Sequence, residues 1–229
     1  MSWTGRNWPL VLELTGMHLL QSVLPVLLGT LVAIPLARLA TRHRVLRPLV
    51  VTGSSLLYTI PSLTLFVVLP LVLGTRITSV VNVVVALSLY VVAILVRSSV
   101  DAFESVDADV LQASTAMGYR PLRRFLAVEL PLAVPVLVAG LRVATVSNIS
   151  MVSVGAVIGV QSLGTLFTDG LRRSILEEIA VGIALTVVLA VLLDLVLRGA
   201  GSALTRWQRA GTARPATARV LALGRGAAA

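Results

Sequence analysis

"SVVNVVVALSLYVVAILV", residues 79–96, runs without a charged side chain until Arg97 ends it. As a helix rising 1.5 Å per residue it would be about 27 Å long, close to the roughly 30 Å of hydrocarbon in a bilayer. Its apolar residues do not alternate with polar ones, as the strand of a membrane barrel requires, so the stretch reads as a transmembrane helix. Four more stretches read the same way, at 17–37, 50–73, 126–147 and 179–197, each bounded by Arg, Pro or Gly. The whole chain agrees: 57% of its 229 residues are hydrophobic and 13% charged, with a mean hydropathy of +0.96. An ordinary soluble domain is about a quarter charged. The expectation is an all-α integral membrane protein with about five spans.

Arginine is distributed unevenly between the connections. Arg38, Arg42, Arg44 and Arg47 follow the first span, Arg97, Arg120, Arg123 and Arg124 the third, and Arg198, Arg206 and Arg209 the fifth. The opposite side holds Arg76, Arg172 and Arg173. The positive-inside rule therefore places the N-terminus outside and the C-terminus in the cytoplasm. Residues 1–16 read as an extracytoplasmic segment without the features of a cleaved signal peptide, and Trp3 and Trp8 suit the interface. Residues 17–200 form the membrane domain, and 201–229 a basic, disordered cytoplasmic tail. The net charge of +9 sits on juxtamembrane loops and this tail, which favours anionic inner-leaflet lipid over nucleic acid. The chain has no Cys, so thiol chemistry and Cys-ligated metals are excluded.

The longest cytoplasmic connection, "RSSVDAFESVDADVLQASTAMGYRPLRRF" (97–125), begins with Arg97 and Asp101 at helical spacing. Asp107 or Asp109 can cap a short helix carrying Ala113, Ser114 and Ala116, whose small side chains let another surface approach. Gly118 ends that helix in a backbone state that other residues adopt poorly, and Pro121 can begin the next. These features fit a solvated amphipathic loop helix as well as a docking helix.

Gln112-Ala113-Ser114, three residues, Gly118, nine residues, Val128, one residue and Leu130-Pro131 resemble the coupling-loop pattern of permeases of binding-protein-dependent ABC importers. That pattern usually reads Glu-Ala-Ala, three, Gly, nine, Ile, one, Leu-Pro. Gln112 and Ser114 depart from it; Gln keeps the hydrogen bonding of Glu but not its charge. "LLYTIPSLTLFVVLPLVLG" (56–74), "ELPLAVPVLVAGLRVATVSNIS" (129–150) and "VGAVIGVQSLGTLFTDGLRR" (154–173) are similar to the osmoprotectant branch, which carries glycine betaine, carnitine and choline. Methionine and other small-solute permeases share much of the layout. The resemblance implies the type I importer permease fold in a bacterial cytoplasmic membrane, with a coupling loop at about 101–124 that docks an ATPase subunit through residues 107–124. It also implies a second permease copy or sister permease and an extracytoplasmic solute-binding protein. ATP and Mg²⁺ belong to the ATPase, so this chain is expected to be non-catalytic, with no cofactor or metal of its own.

Inside the spans, Pro61 is a candidate hinge or pore-lining kink. Tyr58, Asn82 and Tyr90 place polar atoms where they must face protein or an aqueous path. Arg142 falls near mid-membrane, where a guanidinium needs partners or water. Asn148 and Ser150 begin a broken or re-entrant segment at the pore mouth. These seven residues are the candidate translocation path. Asp194 and Arg198 read as an interfacial ion pair. No Gly-x-x-x-x-Gly-Lys phosphate loop occurs, and His18 and His43 are isolated. An ion-coupled secondary transporter is the rival from another class; it requires a carboxylate in mid-membrane, and every Asp and Glu reads as lying in a loop or near a span end.

Overall fold

The computed structural model describes residues 3–207. Residues 1–2 and 208–229, including most of the expected tail, lie outside the described residues. In chain order the helices are α1 (Trp3–Arg6), α2 (Trp8–Arg42), α3 (Leu46–Thr59), α4 (Ser62–Leu73), α5 (Val80–Glu104), α6 (Ala108–Ala116), α7 (Pro121–Arg124), α8 (Leu130–Val152), α9 (Gly164–Arg173) and α10 (Leu176–Leu204). A π-helical turn, Phe125–Glu129, joins α7 to α8, and a 3₁₀ turn, Ser153–Ile158, follows α8. Four stretches are long and apolar enough to cross a membrane, and the bent pair α3–α4 makes a fifth.

The expected spans are all present, with different limits and one different shape. The first spanning helix, α2, begins at Trp8 rather than 17 and the last runs on to Leu204, because the helical backbone continues beyond the apolar windows through residues such as Glu13 and Arg198. The span expected over 50–73 is two helices meeting at 102°. Ile60 and Pro61 are both extended, at ψ 127° and 133°. Proline disfavours the helical region for the residue before it, so Ile60 opens and the span breaks.

α5 is the central helix, packed on α2, α3, α4 and α8. Ser79 caps its start, accepting from the Val81 N–H. Small residues set its contacts. A Cβ on Gly29 of α2 would lie 2.4 Å from Val91 Cγ1, and one on Gly140 of α8 would lie 1.9 Å from Ser98 Oγ. Membrane helices lack a hydrophobic drive toward one another, so such close backbone approach is a main source of their association.

Two contacts place the ends of the molecule. The Glu177 carboxylate at the start of α10 accepts from the backbone N–H groups of Trp3 and Thr4 at 2.9 and 3.1 Å. Near the other end of α10, Gly201 packs against Val138, early in α8. The first and last described residues therefore lie at opposite ends of the bundle.

Candidate functional site

The connection between α5 and α8 is built around α6. Asp107 caps it, accepting from the Asp109 N–H at 2.8 Å. Gly118, at φ +83°, turns the chain back, and the Tyr119 N–H closes the end by donating to the Ser114 carbonyl at 3.2 Å. A β-branched residue would be strained at that φ. Pro121 opens α7, as expected.

The outward face of α6 differs from the expected trio of small residues. Ala113 and Ala116 are exposed, but Ser114 is buried, donating to the Leu111 carbonyl at 2.8 Å. On a helix, Ala113 and Ser114 point 100° apart, so one faces outward and the other meets the rest of the bundle. Val110 and Met117, three residues before and four after Ala113, are 41% and 70% exposed. Together they form an apolar patch with a small residue at its centre. The i, i+3, i+7 spacing was the signal for these two residues.

Leu130 and Pro131 are half-buried in the bundle, away from that patch. Pro131 has no N–H to donate, and the π turn immediately before it shifts the hydrogen bonding, with the Leu130 N–H reaching the Phe125 carbonyl. The extra residue swings Glu129 inward, where it is 3% exposed and ion-paired with Arg38 of α2. Arg38 also lies 4.7 Å from the centre of the Phe125 ring, which meets Phe103 of α5 edge-on at 5.4 Å. Arg124 Nη1 donates to Thr115 Oγ1 at 2.8 Å. A continuous set of contacts thus leads from α6 through Arg124, Phe125 and Glu129 to α2 and α5. The sequence placed Arg38 as a juxtamembrane charge and Glu129 near a span end but did not pair them; they lie 91 residues apart.

The seven candidate path residues do not form one lining. Tyr58, Pro61 and Tyr90 come together at the break in the second span. The Tyr90 hydroxyl donates to the Ile60 carbonyl freed by that break, and the two tyrosine rings meet edge-on at 5.8 Å. Tyr90 is buried, while Tyr58 is 44% exposed. Asn82 instead knits the α4–α5 turn, accepting from Thr75 and donating to the Arg76 carbonyl at 2.7 Å. Asn148 joins helices, donating to the Ser22 carbonyl of α2 at 2.6 Å. It belongs to a buried polar seam with His18, Gln21 and Ser162, where Gln21 reaches the Gln161 carbonyl at 2.8 Å. Ser150 is exposed on another face of α8. The segment after α8 is broken as expected, with Gly159 at φ +87°.

Arg142 makes two bonds to Asp194 of α10, at 2.6 and 2.9 Å. Arg198 is 3.7 Å from the same carboxylate. The expected Asp194–Arg198 pair is therefore the weaker part of a three-residue cluster, and Asp194 lies well inside α10 rather than at its end. Bidentate geometry with Arg142 explains how both charges are held there.

Broken and straight apolar spans around a central helix, with a capped short helix presented at one end, define a multi-span membrane protein. The chain belongs to the family described as binding-protein-dependent transport system inner membrane component, which it matches over residues 26–210. It is 35% identical over 188 residues to the osmoprotectant import permease protein OsmW of Salmonella typhimurium, covering 81% of this chain and 87% of that protein. It is 32% identical over 197 residues to the glycine betaine/carnitine/choline transport system permease protein OpuCD of Bacillus subtilis, covering 86% and 85%. Its fold matches the inward-facing MetNI methionine ABC transporter with a TM-score of 0.71 at 20% identity, over 90% of this chain and 98% of the other. An amino acid ABC transporter solved with histidines gives 0.68 at 16% identity, over 89% and 96%. The protein is a multi-pass permease subunit with the type I ABC importer fold.

Proposed function

We propose that the protein is the permease of an ATP-driven importer for small osmoprotectants of the glycine betaine, carnitine and choline class. The carrying observation is similarity to permeases of that description over more than four-fifths of the chain. The likeness to the methionine transporter supports the fold alone. In this reading the N-terminus is outside and α6 faces the cytoplasm, where residues 107–124 dock an ATPase subunit that binds ATP and Mg²⁺. The permease itself is non-catalytic and holds no cofactor. A second permease copy or sister chain completes the path, and an extracytoplasmic receptor delivers the solute. Gln112, Ala113 and Gly118 belong to the docking loop; Ser114, Leu130 and Pro131 hold it in shape.

The Tyr58–Pro61–Tyr90 cluster is the best-placed part of the translocation path, because Tyr58 exposes an aromatic ring beside a helix break. A quaternary ammonium is attracted to such a face without needing a counter-charge, and a zwitterion crosses without net charge. Arg142 and Asn82, whose polar groups bond to protein, hold helices and turns; Asn148 joins α8 to α2 through its amide N–H while its buried Oδ1 has no partner. The test is uptake of radiolabelled glycine betaine, choline and methionine by proteoliposomes holding the permease, its ATPase and its co-encoded receptor. The reading requires uptake of a quaternary ammonium solute and excess unlabelled glycine betaine to compete. Methionine uptake that glycine betaine leaves untouched would contradict it.

A further inference from the structure

One stripe of α2 carries Leu27, Leu31, Pro35, Leu39 and Arg42, about four residues apart and so on one side of the helix. Its first part, with Leu141 of α8 and Leu197 of α10, walls a groove of about 530 Å³ whose lining is apolar except for Thr30 and Thr145. Its second part, with Leu122 and Phe125, walls a groove of about 270 Å³. Ile34 and Pro35 line both, so the two are continuous. From Leu27 to Arg42 the stripe is about 22 Å long, more than the roughly 15 Å of hydrocarbon in one leaflet.

Charge is concentrated at one end. Arg38 and Arg42 stand on the wall of the smaller groove, and Arg42 and Arg124 both act electrostatically on Arg38. Glu129 is the carboxylate paired with this group, leaving three guanidiniums against one acid. Arg38 Nη2 and Arg124 Nε are buried without a hydrogen-bond partner, so Arg42 is the residue left to meet a headgroup. An apolar trough between membrane helices, ending in surplus positive charge where the helices leave the hydrocarbon, complements a lipid with a negative headgroup.

We propose that this α2–α8–α10 groove is a specific seat for one anionic phospholipid, its acyl chain along Leu27, Leu31 and Ile34 and its phosphate at Arg42. The seat is distinct from general attraction to the basic loops, because Arg44 lies two residues away yet does not line the groove. It does not depend on which solute is carried.

The experiment uses the intact permease–ATPase complex, delipidated in detergent and titrated with phosphatidylglycerol or with phosphatidylcholine of the same acyl chains, with bound lipid counted by native mass spectrometry. One phosphatidylglycerol per permease is expected to bind at least tenfold more tightly than phosphatidylcholine. Arg42→Gln should weaken it about fivefold, the effect of one basic residue near an anionic headgroup, and Arg44→Gln should leave it unchanged. Thr30→Trp, which fills the trough, should prevent binding of either lipid. Equal affinity for the two lipids, or equal losses in Arg42→Gln and Arg44→Gln, would overturn the proposal. So would a disulfide between Leu31→Cys residues of two permease copies, since it would show that a second permease covers the groove; the chain has no other Cys to confuse that result.

Discussion

Ala113 and Ser114 are adjacent small residues with opposite surroundings, and substitution separates them. Bulk at Ala113 meets whatever docks on α6, where overpacking costs about 1–3 kcal/mol. Ala113→Trp is therefore expected to lower substrate-stimulated ATP hydrolysis about tenfold or more in the reconstituted complex, with normal insertion and an unchanged thermal midpoint of the isolated permease. Ser114→Trp should instead lower that midpoint, because Ser114 is 1% exposed. Glu129 makes a different point. Removing it leaves Arg38, half-buried at 15% exposure, without its ion-pair partner, at a cost below the roughly 3–5 kcal/mol of a fully buried charge, whereas replacing both members with apolar residues is often neutral. Glu129→Ala should lower the thermal midpoint, and Arg38→Met with Glu129→Met should recover most of the loss. A double variant no more stable than Glu129→Ala would mean that the pair is not the source of the effect.

The elements differ in how much of them could be read from the chain. α5 was legible almost whole, since an uncharged run bounded by Ser79 and Arg97 has few alternatives in a bilayer. The cap at Asp107, the turn at Gly118 and the start at Pro121 were equally legible, because each depends on local backbone chemistry. Pro61 announced a bend but not its size. Arg142 and Asp194 are 52 residues apart, and hydropathy alone could not bring them together. The inward turn of Glu129 was hidden too, since it depends on one inserted residue in the hydrogen-bond ladder. Helix contacts at glycine give a sharp test of packing. Gly140→Ala should destabilise the bundle because the new Cβ meets Ser98 Oγ at 1.9 Å. Adding Ser98→Gly removes the obstacle and should restore part of the thermal midpoint. Gly164→Ala has no such remedy, since its obstacle is the Ser153 carbonyl oxygen at 2.2 Å, which belongs to the backbone.

At the scale of the whole molecule the question is what drives transport. An ion-coupled carrier needs a group that changes charge or coordinates an ion inside the membrane. The two carboxylates found within the bundle, Glu129 and Asp194, are each bound to an arginine, which holds its proton at any physiological pH. Glu178 is buried but lies in the first turn of α10, at the end of its span. If an ATPase docks on α6 as proposed, the contacts from α6 to α2 and α5 offer instead a mechanical route from it to the helices around Tyr58 and Tyr90. The most direct measurement is solute uptake into proteoliposomes containing permease, ATPase and receptor, with ATP saturating and ionophores abolishing every ion gradient. Uptake should continue at an undiminished initial rate, and should vanish when ATP, the ATPase or the receptor is left out. Uptake that stops with the ionophores while ATP remains saturating would contradict an ATP-driven permease.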